Sequence, residues 1–177
     1  MKGFTLIELI VVIIIIAIMS AVALPRLNNL QIDARIAKLK AARGSVAATS
    51  AMIHAVLFAR NSVADIATCP GGGGTANNIN GSAGTVCTEG GIVNVVNGYP
   101  DVTSFGVAGI LAAAGLTTVF NPTQAQLQTE GYDYTENGTT ATFQVIGGSN
   151  QMNCSFTYSE PVVNASPIIS AVITSGC

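Results

Sequence analysis

The sequence has few of the side chains that nucleic-acid binding requires. It contains no Trp, one His and only seven Lys and Arg residues among 177, and every base lies at or before Arg60. From Asn61 onward there are seven acidic residues and no basic one. Because nucleic-acid binding depends on cations that neutralise phosphates, we expect none from this distal part. The opposite charge signs of the two parts could instead attract neighbouring subunits over distances within about 8 Å.

Patterns for catalysis and metal binding are also missing. His54 lies in a helical pattern without an adjacent Cys, Glu or His, so we expect a core or surface role rather than a ligand or catalytic role. Asp101 and Asp133 are candidates for a calcium site, but no D-x-D-x-D-G spacing occurs. We therefore predict no enzyme activity, no catalytic residue, no metal and no cofactor. Sequons are too short to predict glycans; they occur at Asn80, Asn137, Asn153 and Asn164.

What the sequence does have is one long apolar run near its start. Phe4 to Leu24 comprises 21 residues, of which Glu8 alone is ionisable. As an α-helix this run would measure about 31 Å, which matches a hydrocarbon core of about 30 Å. Lys2 before the run favours a cytoplasmic N terminus, which places the remainder of the chain outside the cytoplasm.

Glu8 is not needed by an ordinary membrane anchor. An unpaired carboxylate there costs on the order of 2–3 kcal/mol to insert, so it requires a partner or another reason. One interpretation is local, because Thr5 and Glu8 have the T-x-x-E spacing of a capping box. The other requires cleavage between Gly3 and Phe4, which creates an α-ammonium at Phe4. Glu8 would then pair with the ammonium of a neighbouring helix and fix its register.

These N-terminal residues resemble those of type IV pilins. The resemblance rests on Gly3, the sequence FTLIE from Phe4 to Glu8, the unbroken apolar run and Pro25. It implies that a prepilin peptidase cleaves after Gly3 and that Phe4 becomes the N-methylated first residue. It also implies that Glu8 recruits or pairs with the amine of an adjacent subunit, and that the helix just before Pro25 loosens in the filament.

A second, looser resemblance is to the mannose-sensitive haemagglutinin class of pilins. It rests on the stretch from Pro25 to Met52, on Gly98-Tyr99-Pro100 and on a C-terminal Cys. Two features depart from the wider family. The leader of three residues is short, and Ala17 stands where many relatives have a Gly.

The chain after the apolar run predicts an α+β architecture, which the resemblance identifies as the pilin fold. Pro25 removes a backbone hydrogen bond and should kink the helix. The helix then continues in amphipathic form, and its apolar stripe is expected to pack under a C-terminal antiparallel sheet of three or four strands. The stripe consists of Ile32, Ile36, Leu39, Val46, Ile53 and Leu57, with Arg43 and Ser50 in the intervening positions.

Several elements are expected in residues 61–177, here called the head. Gly and Asn residues predict a loop over 69–100, with a short strand at 92–96. A helix is predicted over 104–116, ended by Gly115 and followed by a connector that contains Pro122. Asn137-Gly138 predicts a hairpin between 132–134 and 140–146. Further strands are predicted at 152–158 and 168–174.

Four Cys residues, all after residue 68, suit an oxidising compartment. Three pairings are possible, and proximity favours Cys69 with Cys87 and Cys154 with Cys177. The expected organisation is a leader (1–3), a transmembrane or filament-core helix (4–27), an amphipathic helix (28–60), a loop-rich αβ region (61–130) and a disulfide-closed antiparallel sheet (131–177).

These features predict a structural subunit of a type IV pilus. The precursor would cross the inner membrane once, be cut by a prepilin peptidase, and be polymerised by the pilus assembly machinery with copies of itself. The resulting extracellular filament would serve adhesion or motility. Two alternatives are a pseudopilin of a type II secretion system and a membrane-anchored binding protein that never polymerises.

Overall fold

The computed structural model describes residues 5–177, except for the side chains of residues 24–28. The predicted cleavage site at Gly3 and Phe4 lies outside the described residues. One α-helix, α1, spans Leu6–Arg60 and has 55 residues. It passes through Pro25, whose side chain is not among those described, so the kink predicted there stays a prediction.

Two antiparallel sheets follow α1 in the head. The middle sheet has the order β1 (Gly84–Thr88), β2 (Gly91–Val96) and β3 (Tyr99–Pro100). The C-terminal sheet has the order β4 (Tyr132–Asn137), β5 (Thr140–Val145), β6 (Ser155–Ser159) and β7 (Ile168–Ile169). A long N-terminal helix followed by antiparallel sheets confirms the α+β class and is consistent with the pilin fold.

The predicted apolar stripe of α1 packs against both sheets. Leu39 and Val46 are buried in the main core with the aromatic residues of the C-terminal sheet. About two turns further along α1, Ile53 and Leu57 are buried against Val86, Val93 and Val95 of the middle sheet. Ser50 is buried and Arg43 half-buried in the intervening positions, as the spacing predicts, whereas Ile32 is exposed.

The short strand predicted at 92–96 is confirmed as β2. The rest of the second half of the predicted loop over 69–100 is wrong, because β1 and β3 pair with β2 to form the middle sheet. Alternate residues of β2 are buried, because Val93 and Val95 face α1. Most of the Gly and Asn residues that suggested a loop lie at 71–81, before β1, in a stretch without helix or strand. Asn97 and Gly98, both at positive φ, join β2 to β3, which is the conformation that favours Asn-Gly in hairpins.

The predicted helix over 104–116 is much shorter in the structure. α2 spans only Ile110–Ala113, and Gly115 follows with φ 63°. The connector that contains Pro122 includes an unpredicted helix, α3, over Gln124–Thr129. Its start was readable, because Thr123 and Gln126 form a capping box in which each side chain bonds the other residue's backbone N–H.

The predicted C-terminal hairpin is confirmed with its turn displaced by one residue. Asn137 pairs with Thr140, so Gly138 and Thr139 form the loop. The strand predicted at 152–158 begins at Ser155, after a 3₁₀ turn over Gln151–Asn153. The strand predicted at 168–174 is reduced to β7, because at Ser170 the side-chain hydroxyl, not a backbone carbonyl, accepts the bond from the Thr157 N–H.

Candidate assembly site

Glu8 lies in the first turn of α1 and forms the predicted capping box with Thr5. Its Oε2 accepts hydrogen bonds from the Thr5 N–H at 2.9 Å and from the Thr5 hydroxyl at 2.8 Å, while the Glu8 N–H donates to Thr5 Oγ1 at 3.4 Å. The Thr5 N–H and the Thr5 hydroxyl thus donate to the same carboxylate oxygen. Within the described residues, Oε1 therefore keeps its capacity to accept a bond from another group.

The surroundings of Glu8 are apolar and exposed in the single chain. Every large apolar side chain from Leu6 to Val22 is between 41% and 76% exposed. Ile7, Val11 and Val12 line a shallow depression beside the carboxylate. The stretch Leu6–Ala23 is long and apolar enough to cross a membrane. An anion in such a surface requires a partner once water is excluded.

The second half of α1 exposes a continuous line of small side chains. They recur at alternating spacings of three and four residues, so they share one face of the helix. We call this line the small-residue stripe; it comprises Ala34, Ala37, Ala41, Gly44, Ala48, Ala51 and Ala55, all exposed. Ala42 and Ala47 do not belong to this stripe, since Ala42 is buried and Ala47 half-buried.

Most basic side chains of α1 are bound within the chain. Arg35 donates to the backbone oxygen of Cys177 at 2.7 Å, Arg43 donates to that of Ser170 at 2.6 Å, and Lys38 donates to that of Glu130. Arg60 forms a salt bridge of 2.7 Å with Asp65. Lys40 points to solvent. These bases therefore fasten the head to its own helix, and attraction between subunits through them stays a prediction.

The four Cys residues form the two disulfides that proximity favoured. Cys69 pairs with Cys87 and Cys154 with Cys177. Asp65 approaches the first pair, but a disulfide offers no thiolate, so this group is not a set of metal ligands. The bridges close the loop before the middle sheet and the segment after β6.

His54 packs between aromatic rings. Its ring stacks on Tyr99 at a centroid distance of 4.0 Å and meets the edge of Phe58 at 4.7 Å. Its Nδ1 lies 3.0 Å from the backbone oxygen of Gly98, so Nδ1 carries the proton and donates. The contacts fit the expected packing role.

Asp101 and Asp133, the two acids considered for a calcium site, contact different residues. Asp133 accepts hydrogen bonds from Gln124 and from the Tyr134 N–H. Asp101 instead lies beside the carboxyl group of Glu160. Glu160 could not be predicted as a neighbour of Asp101, because the two residues are 59 positions apart and no local pattern connects them.

The comparisons with known proteins identify the N-terminal segment. Residues 1–24 match the family model described as the prokaryotic N-terminal methylation motif. The chain thus carries a prepilin-type signal, which supports a precursor of the type IV pilin or pseudopilin kind. The motif implies processing by a prepilin peptidase and assembly into pilus-type polymers. With the apolar helix, it fits a membrane-anchored precursor.

No curated protein and no solved structure matches the chain. The looser resemblance to the mannose-sensitive haemagglutinin class therefore stays a prediction.

Proposed function

We propose that this protein is a non-catalytic structural subunit of a type IV pilus, assembled through the first half of α1 into an extracellular filament used in adhesion or motility. The observation that carries the proposal is Glu8, near the start of an exposed apolar surface, with one oxygen bound by Thr5 and the other without a partner among the described residues. The prepilin-type motif at residues 1–24 supports it independently.

Burial of the apolar half of α1 makes the assembled filament stable in water. Removing one Val, Leu, Ile or Met side chain from water contributes about 1.5–3 kcal/mol, and all the large apolar side chains from Leu6 to Val22 are exposed in the single chain. The sum far exceeds the cost of placing one carboxylate in the interior. A subunit released from the filament into water would lose this contribution, so release requires a membrane.

In the membrane, a subunit has to recognise the subunit beside it without help from the hydrophobic effect, because lipid and protein are equally apolar there. Lipid tails are as apolar as Leu, so helices associate there through close packing and polar pairs. The open oxygen of Glu8 can accept a bond from the Phe4 ammonium of another subunit. A subunit in the wrong register leaves a buried charge unpaired, at a cost of about 3–5 kcal/mol. Glu8 therefore sets register, and the apolar run sets stability.

The small-residue stripe supports the same mode of assembly. Small side chains allow two helix backbones to approach closely. A side chain added at Gly44 would meet no atom within 4 Å beyond its own helix neighbours, so this face is open along its length. We assign it to contacts between α1 helices in the filament.

We prefer a surface filament to a periplasmic pseudopilin because the head is long and carries two sheets and two disulfides. Disulfides alone do not separate the two, since the periplasm is oxidising as well. A filament outside the cell is released by shearing, whereas a pseudopilin polymer stays in the periplasm.

The test separates the charge of Glu8 from its capping role. Glu8→Gln keeps an oxygen that can accept the Thr5 bonds but removes the charge, and Thr5→Ala removes the capping hydroxyl but keeps the charge. We expect both variants to be made and inserted, Glu8→Gln to yield no fibres in the sheared fraction, and Thr5→Ala to yield them. Fibres from Glu8→Gln would overturn the register mechanism. A wild type that stays monomeric in the membrane would overturn the polymer itself.

A further inference from the structure

A cleft lies between one flank of α1, the middle sheet and α2. It has a volume of about 500 Å³ and is lined mainly by apolar side chains. α1 contributes Met52 and Val56, β1 contributes Val86, and the connector after α2 contributes Phe120. Clefts of this size hold whole small molecules, so this one has room for a large side chain. No described side chain fills it, and Met52 at its edge is 65% exposed.

The other flank of α1 carries an exposed aromatic ring. Phe58 is 64% exposed, although the edge of its ring meets His54 at 4.7 Å and is held there. Val163, which is 71% exposed, lines the same depression as Phe58. We call Phe58 and Val163 the knob. Large apolar side chains exposed side by side favour contact with another protein surface.

The cleft and the knob lie on opposite sides of the small-residue stripe. Met52 precedes Ala55 of the stripe by three residues, and Phe58 follows Ala55 by three. Three residues turn an α-helix by about 300°, so the two side chains lie about 60° to either side of Ala55. A copy that packs on the stripe therefore comes close to both surfaces.

We propose that the knob of one copy enters the cleft of its neighbour in the filament. A contact between parallel copies in a filament is heterologous, so each copy must offer two different surfaces. The knob and the cleft are such a pair, and both continue the stripe that we assign to helix contacts. The side chain of Met52 is flexible enough to close over the ring of Phe58. The proposal rests on the proposed function, because the stagger of the copies comes from Glu8.

The stagger of the copies brings the knob level with the cleft. Pairing of the Phe4 ammonium in one copy with Glu8 in another shifts the two by four residues, or about 6 Å along parallel helices. Phe58 of the copy that supplies Glu8 then lies level with His54 of the copy that supplies the ammonium. All copies have the same sequence, so a change in the helix before Pro25 affects each copy alike and preserves the stagger.

The direction of the stagger also decides which copy receives the knob. The α1 lining of the cleft runs from Thr49 to Arg60, and His54 lies near its middle. In the opposite direction, Phe58 would lie level with Ser62, beyond the end of α1 at Arg60. The copy that supplies the ammonium therefore receives the knob.

The test uses fibres sheared from cells that make the double variant Met52→Cys/Phe58→Cys. The four native Cys residues are paired in disulfides, so the two introduced thiols are the reactive ones. Six residues of helix separate the introduced Cys residues by about 9 Å along the axis, beyond the limit of about 7 Å between the Cα atoms of a disulfide. Oxidation therefore joins them only between copies. We expect a ladder of dimers, trimers and longer products on a non-reducing denaturing gel.

Ala41→Cys/Phe58→Cys is the matched control. Ala41 lies on the same side of the stripe as Met52 but eleven residues, or about 16 Å, nearer the N terminus. Oxidised control fibres should give monomers. A ladder from the control, or monomers alone from intact Met52→Cys/Phe58→Cys fibres, would overturn the contact and leave the pilus function standing. Absence of fibres from the wild type would overturn the function itself.

A second measurement decides the matter if the Cys variants form no fibres. Phe58→Ala should reduce the yield of sheared fibres several-fold. Its unfolding midpoint in detergent micelles should stay close to that of the wild type, because the ring is exposed in the single chain. Met152→Ala removes a similarly exposed apolar side chain outside the knob and the cleft, and should leave the fibre yield unchanged. A wild-type yield from Phe58→Ala, or an equal loss in both variants, would overturn the contact.

Discussion

The guanidinium of Arg35 donates a 2.7 Å hydrogen bond to the backbone oxygen of Cys177, 142 positions further along the chain. Two helical turns later, Arg43 donates in the same way to Ser170. Cys177 is in turn bonded to Cys154, just before β6. The basic side of α1 thus binds the segment that follows β6. Arg35 and Arg43 therefore hold the C-terminal segment of the head against α1.

Arg43→Ala should destabilise the head. Its guanidinium is half-buried and bonds the Ser170 and Ile169 oxygens, and hydrogen bonds to charged groups contribute about 1.5–3 kcal/mol. Lys40→Ala, three residues earlier on the exposed side, should change the free energy of unfolding by no more than about 0.5 kcal/mol. Urea unfolding of the two variants measures the difference, and equal effects would contradict the fastening role of Arg43.

Tyr158→Phe should cost about 1–3 kcal/mol, because the buried Pro100 oxygen loses its donor while the ring still packs. Tyr99→Phe is the matched control. Its hydroxyl makes only an exposed contact of 3.4 Å with Ser166, so its removal should be nearly neutral. Thermal or urea unfolding of both variants gives the comparison. A neutral Tyr158→Phe would show that the position of β3 does not depend on this bond.

Gly44→Leu tests the small-residue stripe. The new side chain has open space in the single chain and replaces a poor helix former, so the membrane-inserted precursor should be at least as stable as the wild type. In the filament it should separate neighbouring helices and reduce the sheared fibres strongly. Ser82→Leu, a similar enlargement on the exposed head, should leave fibres intact. Normal fibre yield from Gly44→Leu would remove the stripe from the assembly interface.

The two disulfides should differ in their contribution despite similar spacing. They span 18 and 23 positions, for which the chain-entropy model predicts contributions that differ by only about 0.2 kcal/mol. Cys154 and Cys177 are both buried in the main core, whereas Cys87 is partly exposed. Replacing both Cys154 and Cys177 by Ala should therefore destabilise the head more than the same replacement of Cys69 and Cys87. Calorimetry under oxidising conditions compares the pairs, and the reverse order would contradict this packing argument.

The helical half of the fold could be predicted from the sequence because its signals are local. Alternating spacings of three and four residues placed Leu39, Val46, Ile53 and Leu57 on the buried face, and Thr5 and Glu8 were readable as a capping box. Of the middle sheet only β2 was predicted, and its partners β1 and β3 were missed because Gly and Asn were interpreted as loop residues. Asn97-Gly98 between two β-branched runs was in fact a hairpin signal.

The long-range relationships could not be predicted in this way. The Val102 N–H reaches Glu160 because the end of β3 lies beside the end of β6, and Arg35 reaches Cys177 because the C-terminal segment returns to α1. No periodicity or local spacing in the sequence predicts either contact. The shortening of β7 also has a cause that only the fold reveals, namely the Ser170 hydroxyl that replaces a carbonyl in the ladder.

The central claim is that the chain is cut after Gly3 so that a new α-ammonium at Phe4 can meet Glu8 of another copy. Mass spectrometry of the N-terminal peptide from fibres sheared off cells tests it most directly. The account predicts a peptide that begins at Phe4 and carries one methyl group on its amine. A peptide that still contains Met1, Lys2 and Gly3 would contradict the account, because no ammonium would then lie beside the apolar run to pair with Glu8.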